Sequence, residues 1–511
     1  MTSMPDSTAS VQSDIPPGDT PMIRPTQTKI IATIGPASSD RVIVRKLIEA
    51  GVRIFRLNFS HGDLNQHSER VAMIRDVALE LNRPIAIFGD LQGPKIRVGP
   101  VADGGVFVPT GTIVIFQRED DTVSADDRSP RFTCTYPGVI DDVVPGQRML
   151  INDGAVRMLI IEKSADEIVC SVMNGGLITT GKGINLPDST LSVKIIGDRD
   201  WKNVRWAVEH ELDCLALSFV RSALDVQELK DGLERIQSEG KADYVRMPVI
   251  AKIELPQAVQ NIQEILVAAD GIMIARGDLG VEMDLASLPV IQKKLLKAAQ
   301  DHGKPTIVAT QMLETMITST IPTRAEASDV AGAVFDEADA VMLSGETAVG
   351  EYPVIAVETM RRIVEQTESY LATQSAHDRP PVTISASNQS IAALTHGVWT
   401  IANDIGANLI VVWTKRGHGA RFLSQNTFHV PIVGVTSDLR VARQMQFFRS
   451  VIPIVMPVPE NLADMVAQVD RRLMESGLAR KGDPTVLVSG GPLGDERIPH
   501  RLAIHTIGDS S

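Results

Sequence analysis

Short apolar runs alternate along this chain with longer segments whose apolar residues recur at helical spacing. The runs Lys29–Ile34, Ile54–Asn58, Ile85–Asp90, Cys214–Ser218, Val249–Lys252, Gly271–Ala275, Thr306–Ala309 and Ala340–Leu343 each lead into a polar or glycine-bearing loop. Helix-like segments such as Asp40–Ala50, His67–Leu81, Ala223–Ser238 and Leu288–His302 separate most of them. Eight such units predict a (β/α)8 TIM barrel, an α/β fold. Two doubly wound α/β domains would show the same alternation; strand counting favours the barrel.

The alternation breaks between Arg97 and Ile195. There Thr112–Gln117, Arg148–Asn152 and Glu167–Met173 alternate apolar with polar residues, and the turns carry Gly, Pro and Asp. This predicts a small β domain inserted after the third barrel strand. Past Tyr370 a polar stretch runs to Asn388, and a second strand–helix series follows, with strands expected at Leu409–Thr414, Ile432–Thr436, Val451–Val455 and Thr485–Ser489. The expected organisation is a tail over residues 1–25, a barrel over 26–97 and 196–368, an inserted β domain over 98–195 and a C-terminal α/β domain over 369–511.

Composition refines this picture. A chain of 511 residues exceeds what one core organises, so about three domains are expected. An aromatic fraction of 4% leaves Val, Ile, Leu and Ala to fill the cores of an ordinary globular chain. A net charge of −13 argues against nucleic acid or an anionic membrane as partner, but not against a small anion held by local cations. Cys134, Cys170 and Cys214 lack metal-ligand spacing and read as reduced thiols of a cytoplasmic enzyme. No apolar run approaches the roughly 20 residues of a membrane span. Met1–Pro25, rich in Ser, Thr, Pro and Asp, reads as a disordered tail.

The active site of a barrel lies where its strands end. Those positions carry Arg56, Asn58, Ser60 and His61, then Asp90, Lys95 and Arg97, then Lys252 and Glu254, then Gly277 and Asp278, and finally Thr310. Each alone has a structural reading; together on one face they favour function. Glu254 and Asp278 end adjacent strands and suit a hard divalent cation, Mg2+ or Mn2+. Lys252 lies two residues before Glu254, so strand alternation points both to the same side. There the ammonium can stabilise a transferring phosphoryl group, the alternative being a Lys–Glu ion pair in a barrel layer. Backbone N–H groups around Gly277 and Asp278 suit a substrate carboxylate.

The stretches Thr28–Ser38 (TKIIATIGPAS), Phe55–Gly62 (FRLNFSHG), Ala251–Glu254 (AKIE), Asp270–Gly280 (DGIMIARGDLG), Ala309–Met316 (ATQMLETM), Pro322–Val330 (PTRAEASDV) and Val341–Ala348 (VMLSGETA), in this order, resemble the pyruvate kinase family. They cover most of the barrel; the insert and C-terminal domain resemble the family more in placement than in motif. The resemblance implies transfer of the phosphoryl group of phosphoenolpyruvate to ADP, the last step of glycolysis. It implies Lys252 and Arg56 on the phosphoryl group, Glu254 and Asp278 on the metal, and Gly277, Asp278 and Thr310 on the carboxylate, with Thr310 also near enolate protonation. Ser218 and Arg97 match further substrate positions. Pro36, Asn58, His61 and Arg97 match nucleotide positions, and the insert resembles a mobile β-barrel lid bringing Asp153 and Lys182 to the site.

The sequence departs from the family's familiar pattern in one loop. Where that pattern reads Asp-Thr-Lys-Gly-Pro-Glu-Ile-Arg, this chain has Asp90-Leu91-Gln92-Gly93-Pro94-Lys95-Ile96-Arg97. Asn58, Ser60 and Asp90 match three residues of the family's K+ site, but Leu91 replaces its Thr and Lys95 its Glu. This resembles the potassium-independent branch, with the Lys95 ammonium standing in for K+; the alternative is that Lys95 pairs with a nearby carboxylate. Thr414, Arg416, Gly417 and Gly419 follow a C-terminal strand and match the family's loop for a phosphorylated allosteric effector, or form a solvated basic turn. Pro322-Thr323-Arg324 resembles an interface loop of a homotetramer, or Arg324 pairs internally with Glu326 or Asp329. Two other functions share parts of the pattern: a barrel lyase or aldolase working through a metal-stabilised enolate, and a catalytically silent metabolite sensor.

Overall fold

The computed structural model describes residues 25–102, 104–118, 129–239, 244–373, 389–426, 428, 430–489 and 501–509. The tail expected over 1–25, apart from Pro25, and most of the polar stretch before Asn388 lie outside these residues. Three strands, Lys29–Thr33 (β1), Val52–Asn58 (β2) and Ala86–Asp90 (β3), open the chain. The insert contributes Val106–Val108 (β4), Ile113–Gln117 (β5), Arg131–Phe132 (β6), Arg148–Ile151 (β7), Val156–Lys163 (β8), Glu167–Asn174 (β9), Gly176–Ile178 (β10) and Ile184–Asn185 (β11). Cys214–Leu217 (β12), Val249–Ile253 (β13), Gly271–Ala275 (β14), Thr306–Ala309 (β15) and Ala340–Leu343 (β16) follow. β1, β2, β3 and β12 to β16 close into a parallel barrel in which β1 pairs with both β2 and β16.

Helices cover the barrel because their apolar stripes face it. The helix Arg41–Ala50 starts where the Asp40 carboxylate accepts from Val42 N at 2.8 Å and Ile43 N at 3.3 Å, and it buries Val44, Leu47 and Ile48. Gly51, at φ 129°, turns the chain into β2. Inside the barrel a separate layer holds Ile31, Ile54, Phe88, Ile250, Met273, Ile307 and Met342. Phe447 of the C-terminal domain plugs its floor, 6.0 Å from the Phe88 ring.

The insert forms a six-stranded sheet in the order β11-β7-β8-β9-β5-β6 and a two-stranded ribbon β10-β4, sharing one core that includes Val108, Phe116, Met149, Ile160 and Ile178. Its neck is pinned by bridges between Arg97 and Gly183 and between Val98 and Cys134. The C-terminal domain adds Leu409–Trp413 (β17), Ile432–Thr436 (β18), Val451–Val455 (β19), Pro484–Ser489 (β20) and Arg501–Thr506 (β21), in the order β19-β18-β17-β20-β21. β21 runs antiparallel at the edge. Among the described residues no helix is long and apolar enough to cross a membrane.

Candidate active site

The ends of the barrel strands converge on Lys252. Its Nζ donates to Ser218 Oγ at 2.7 Å and lies 2.8 Å from Glu254 Oε1 and 3.2 Å from Asp90 Oδ1. Ser218 is fixed in turn, donating to Leu91 O at 2.7 Å. Arg56 approaches the same Asp90 from β2, with Nε and Nη2 2.7 and 2.6 Å from Oδ2, and Nη1 donates to Thr33 Oγ1 at 3.2 Å. Two cations thus share one buried carboxylate.

This arrangement sets the charges. Burial works against the charged form of Lys252, but Asp90 and Glu254 outweigh it and hold the ammonium above the ordinary lysine value. Burial likewise pushes Asp90 up, yet Lys252 and Arg56 keep its carboxyl below the usual range. Glu254 is pushed up, by burial first and by Asp278 as well, with Lys252 opposing.

That pair is also the test of a metal site. Glu254 Oε1 faces Lys252 and Oε2 accepts from Phe219 N at 2.7 Å, while no hydrogen bond or ion pair reaches Asp278 from a described residue. Two hard carboxylates, one of them unengaged, fit a divalent ion that completes its shell with water and substrate. Among the described residues no group of three His, Cys, Asp or Glu comes together that could hold a metal ion.

Beside Asp278 the backbone is shaped for close approach. Gly277 N donates to Thr310 Oγ1 at 2.7 Å, and that hydroxyl donates to Ala309 O at 2.6 Å. Thr310 and Gln311 hold φ of 68° and 55°, a strained region that the surroundings must impose. Arg276 imposes it: Nη2 donates to Thr310 O at 2.8 Å and Gln311 O at 3.3 Å, while Nη1 pairs with Asp329 at 2.5 Å. Gly277 and Asp278 sit in the first turn of a helix, Arg276–Glu282.

Other sequence-predicted residues lie around this centre. Pro36 opens a single helical turn, Pro36–Ser38. Asn58 Oδ1 accepts from Ser60 N at 3.1 Å, and His61 N donates to Asn58 O at 3.1 Å, so these three share one tight loop next to Asp90. Lys95 does not join them: its side chain packs beside Gly183 of the insert and lines a narrow cleft with Asp278 and Glu282. Arg97 Nη1 donates to Gly181 O at 2.9 Å, in the neck, with no hydrogen bond to the Lys252 cluster. Asp153 lies in a left-handed turn, φ 54°, over the helix Arg276–Glu282, and Lys182 lies just before β11.

In the C-terminal domain, Thr414 Oγ1 accepts from Gly417 N at 3.0 Å and Gly419 packs inward on Val412, so the loop is internally braced. Arg416 and Gly417 line a cavity of about 470 Å³ between this domain and the barrel floor, with Lys415, His418, Arg421 and, from the barrel, Arg246. Sequence reasoning missed Arg246, which no motif marks. It also missed the Phe219 N–H that orients Glu254.

Fold and site together define a (β/α)8-barrel enzyme whose strand ends gather a buried ammonium, Lys252, against Asp90 and Glu254. Residues 25–357 match the model of the pyruvate kinase barrel domain, and residues 392–498 that of the pyruvate kinase alpha/beta domain. The chain is 37% identical over 481 residues to a pyruvate kinase of Mycobacterium intracellulare, covering 94% of this chain and 98% of that one. It is 40% identical over 475 residues to pyruvate kinase 2 of Synechocystis sp., covering 91% and 77%. The crystal structure of a pyruvate kinase from Cryptosporidium parvum superposes with a TM-score of 0.86 at 32% identity, covering 94% of this chain and 96% of that one. The chain belongs to the pyruvate kinase family.

Proposed function

We propose that this enzyme moves the phosphoryl group of phosphoenolpyruvate onto ADP with Mg2+ as its divalent ion and without a requirement for K+. The observation that carries the reading is the buried Lys252 ammonium, held by Asp90, Glu254 and Ser218. Held that way, it is preorganised for charge passing between donor and acceptor oxygens. Arg56, braced by Asp90, binds the phosphoryl oxygens from the other side. A bound divalent ion supplies Lewis-acid charge to the substrate oxygens, and Glu254 and Asp278 would hold it. The backbone around Gly277 and Asp278, with the Thr310 hydroxyl that the Gly277 N–H engages, orients the carboxylate. The Thr310 hydroxyl holds a proton near the enolate carbon, relayed through water. Asp153 and Lys182 bring the insert to the nucleotide, and the cover excludes water that would otherwise accept the phosphoryl group.

Independence from K+ is supported by two features. The buried Leu91 offers no side-chain oxygen, and Asp90 is already neutralised by Arg56 and Lys252. Lys95 then supplies its charge from the cleft beside Asp278. Pyruvate release from phosphoenolpyruvate in K+-free buffer tests this. Turnover should require ADP and a divalent ion, remain unmoved by added K+, and become K+-dependent in the Leu91→Thr/Lys95→Glu variant. Strong saturable activation of the unmodified enzyme by K+ would contradict it.

The cavity at the barrel floor supports binding of a phosphorylated effector. Its cations crowd one another: burial lowers His418 first, and Arg421, Arg416 and Arg246 lower it further. Asp270 supplies a carboxylate, but Lys230 and Arg246 already engage it. Assembly as a homotetramer is supported by Arg324, which is exposed and makes no ion pair among the described residues. The two carboxylates that could neutralise it internally are occupied elsewhere, Glu326 by Thr315 and Thr323 and Asp329 by Arg276.

A further inference from the structure

Among the described residues one side chain–side chain hydrogen bond joins the insert to the barrel, and the phosphoryl-transfer account does not use it. Asn185 Nδ2 donates to Glu282 Oε1 at 2.7 Å. Glu282 is 4% exposed, and its second oxygen is buried without a partner. Burial of a carboxylate there is costly, and the bond from Asn185 is the compensation its side chain receives among the described residues.

The location of the bond gives it leverage. Glu282 ends the helix Arg276–Glu282, whose first turn carries Gly277 and Asp278. Asn185 lies on β11, where it sits opposite Leu150 of β7. These two strands carry the insert's site-facing residues: β7 runs into the turn holding Asp153, and Lys182 lies two residues before β11. That turn comes down on the same barrel helix, so close that a β-carbon at Gly154 would stand 3.8 Å from Val281 Cγ1. Tied to the end of that helix at Asn185 and resting on it at the Gly154 turn, the two-strand unit is held at a set height above Gly277 and Asp278.

Other ties between insert and barrel run through the neck, where Ile184 N donates to Ile96 O at 2.9 Å and Arg97 Nη1 to Gly181 O at 2.9 Å, and through the return segment. Gln257 Nε2 donates to Ser189 O at 3.3 Å, and Arg221 donates to the carbonyls of Leu191 and Val193. These hold the segment returning to the barrel, beyond the working face of the insert.

We propose that Asn185 and Glu282 are positioning residues for the nucleotide, their hydrogen bond holding Asp153 and Lys182 at working height over the Glu254–Asp278 pair. This rests on the reading of Asp153 and Lys182 as nucleotide-facing. Loss of the bond weakens use of ADP while leaving metal-dependent binding of phosphoenolpyruvate, which the barrel alone performs, in place.

The test is steady-state kinetics on the full chain, paired with equilibrium titration of phosphoenolpyruvate in the presence of Mg2+ and absence of ADP. Asn185→Ala should raise KM for ADP about tenfold, equivalent to about 1.4 kcal/mol, with phosphoenolpyruvate affinity changed by less than about twofold. Glu282→Leu should match it, and the double variant should be no worse than either single change. Glu282→Gln keeps an amide oxygen facing Asn185 and should recover most of the ADP affinity. An unchanged KM for ADP in Asn185→Ala, or an equal loss of phosphoenolpyruvate binding, overturns the proposal. Asp153→Ala and Lys182→Ala measured alongside separate the two ideas. If neither raises KM for ADP, the reading of the insert fails; if both do and Asn185→Ala does not, only the positioning role fails.

Discussion

Two buried lysines in this chain carry opposite proton affinities because their surroundings differ. Lys252 faces two carboxylates and stays charged, whereas Lys29, at the start of β1, donates to the backbone carbonyl of Val451 at 2.6 Å. Burial first, and Arg53 next, lower Lys29 from 10.5 to about 7, with Glu368 and Asp339 only partly opposing. A lysine whose pKa drops on folding binds fewer protons in the native than in the unfolded chain between about 7 and 10.5. Its contribution to stability therefore rises with pH across that window and is lost as pH falls toward 7. Lys29→Met should flatten the rise of the urea unfolding midpoint over this range. An unchanged slope would show that Lys29 keeps its proton when folded.

At the level of elements, the loop Thr414–Gly417 and the short helix behind it form one wall of the basic cavity, and the barrel's Arg246 forms part of another. If a phosphorylated effector fills it, calorimetric titration with a sugar phosphate should show saturable binding. Arg246→Ala and Arg421→Ala should each weaken that binding about tenfold or more, as loss of a charge-assisted hydrogen bond does. Equal affinity in all three proteins would leave the loop a solvated turn. Much of this architecture was legible in the sequence because barrel strands are buried on both faces. β14, β15 and β16 begin and end where their apolar runs do. β21 was not legible: Arg501–Thr506 is an edge strand with no buried residue, and its apolar run is only Leu502–Ile504. Lys252 and Glu254 could be paired from strand alternation alone, two residues apart. Asn185 and Glu282 could not, since 97 residues separate them and only the folded insert brings them together.

At the scale of the whole molecule, the barrel gathers the Lys252 cluster, the insert meets the helix Arg276–Glu282 through Asn185 and the Gly154 turn, and the C-terminal domain closes the floor through Phe447. The exposed Arg324 beside the Thr323 cap predicts a tetramer by light scattering, and Arg324→Glu should shift it toward smaller species; an unmodified chain that runs as a monomer would contradict this. The central claim is that Lys252 carries phosphoryl transfer, and pyruvate formation by the unmodified enzyme and by Lys252→Met tests it directly. With phosphoenolpyruvate, ADP and Mg2+, the account predicts ADP-dependent turnover that falls by about 1,000-fold or more in the variant, while the variant still binds phosphoenolpyruvate. Turnover within about tenfold of the unmodified enzyme would contradict it, because a cation removed from the path of the phosphoryl group cannot leave the rate standing.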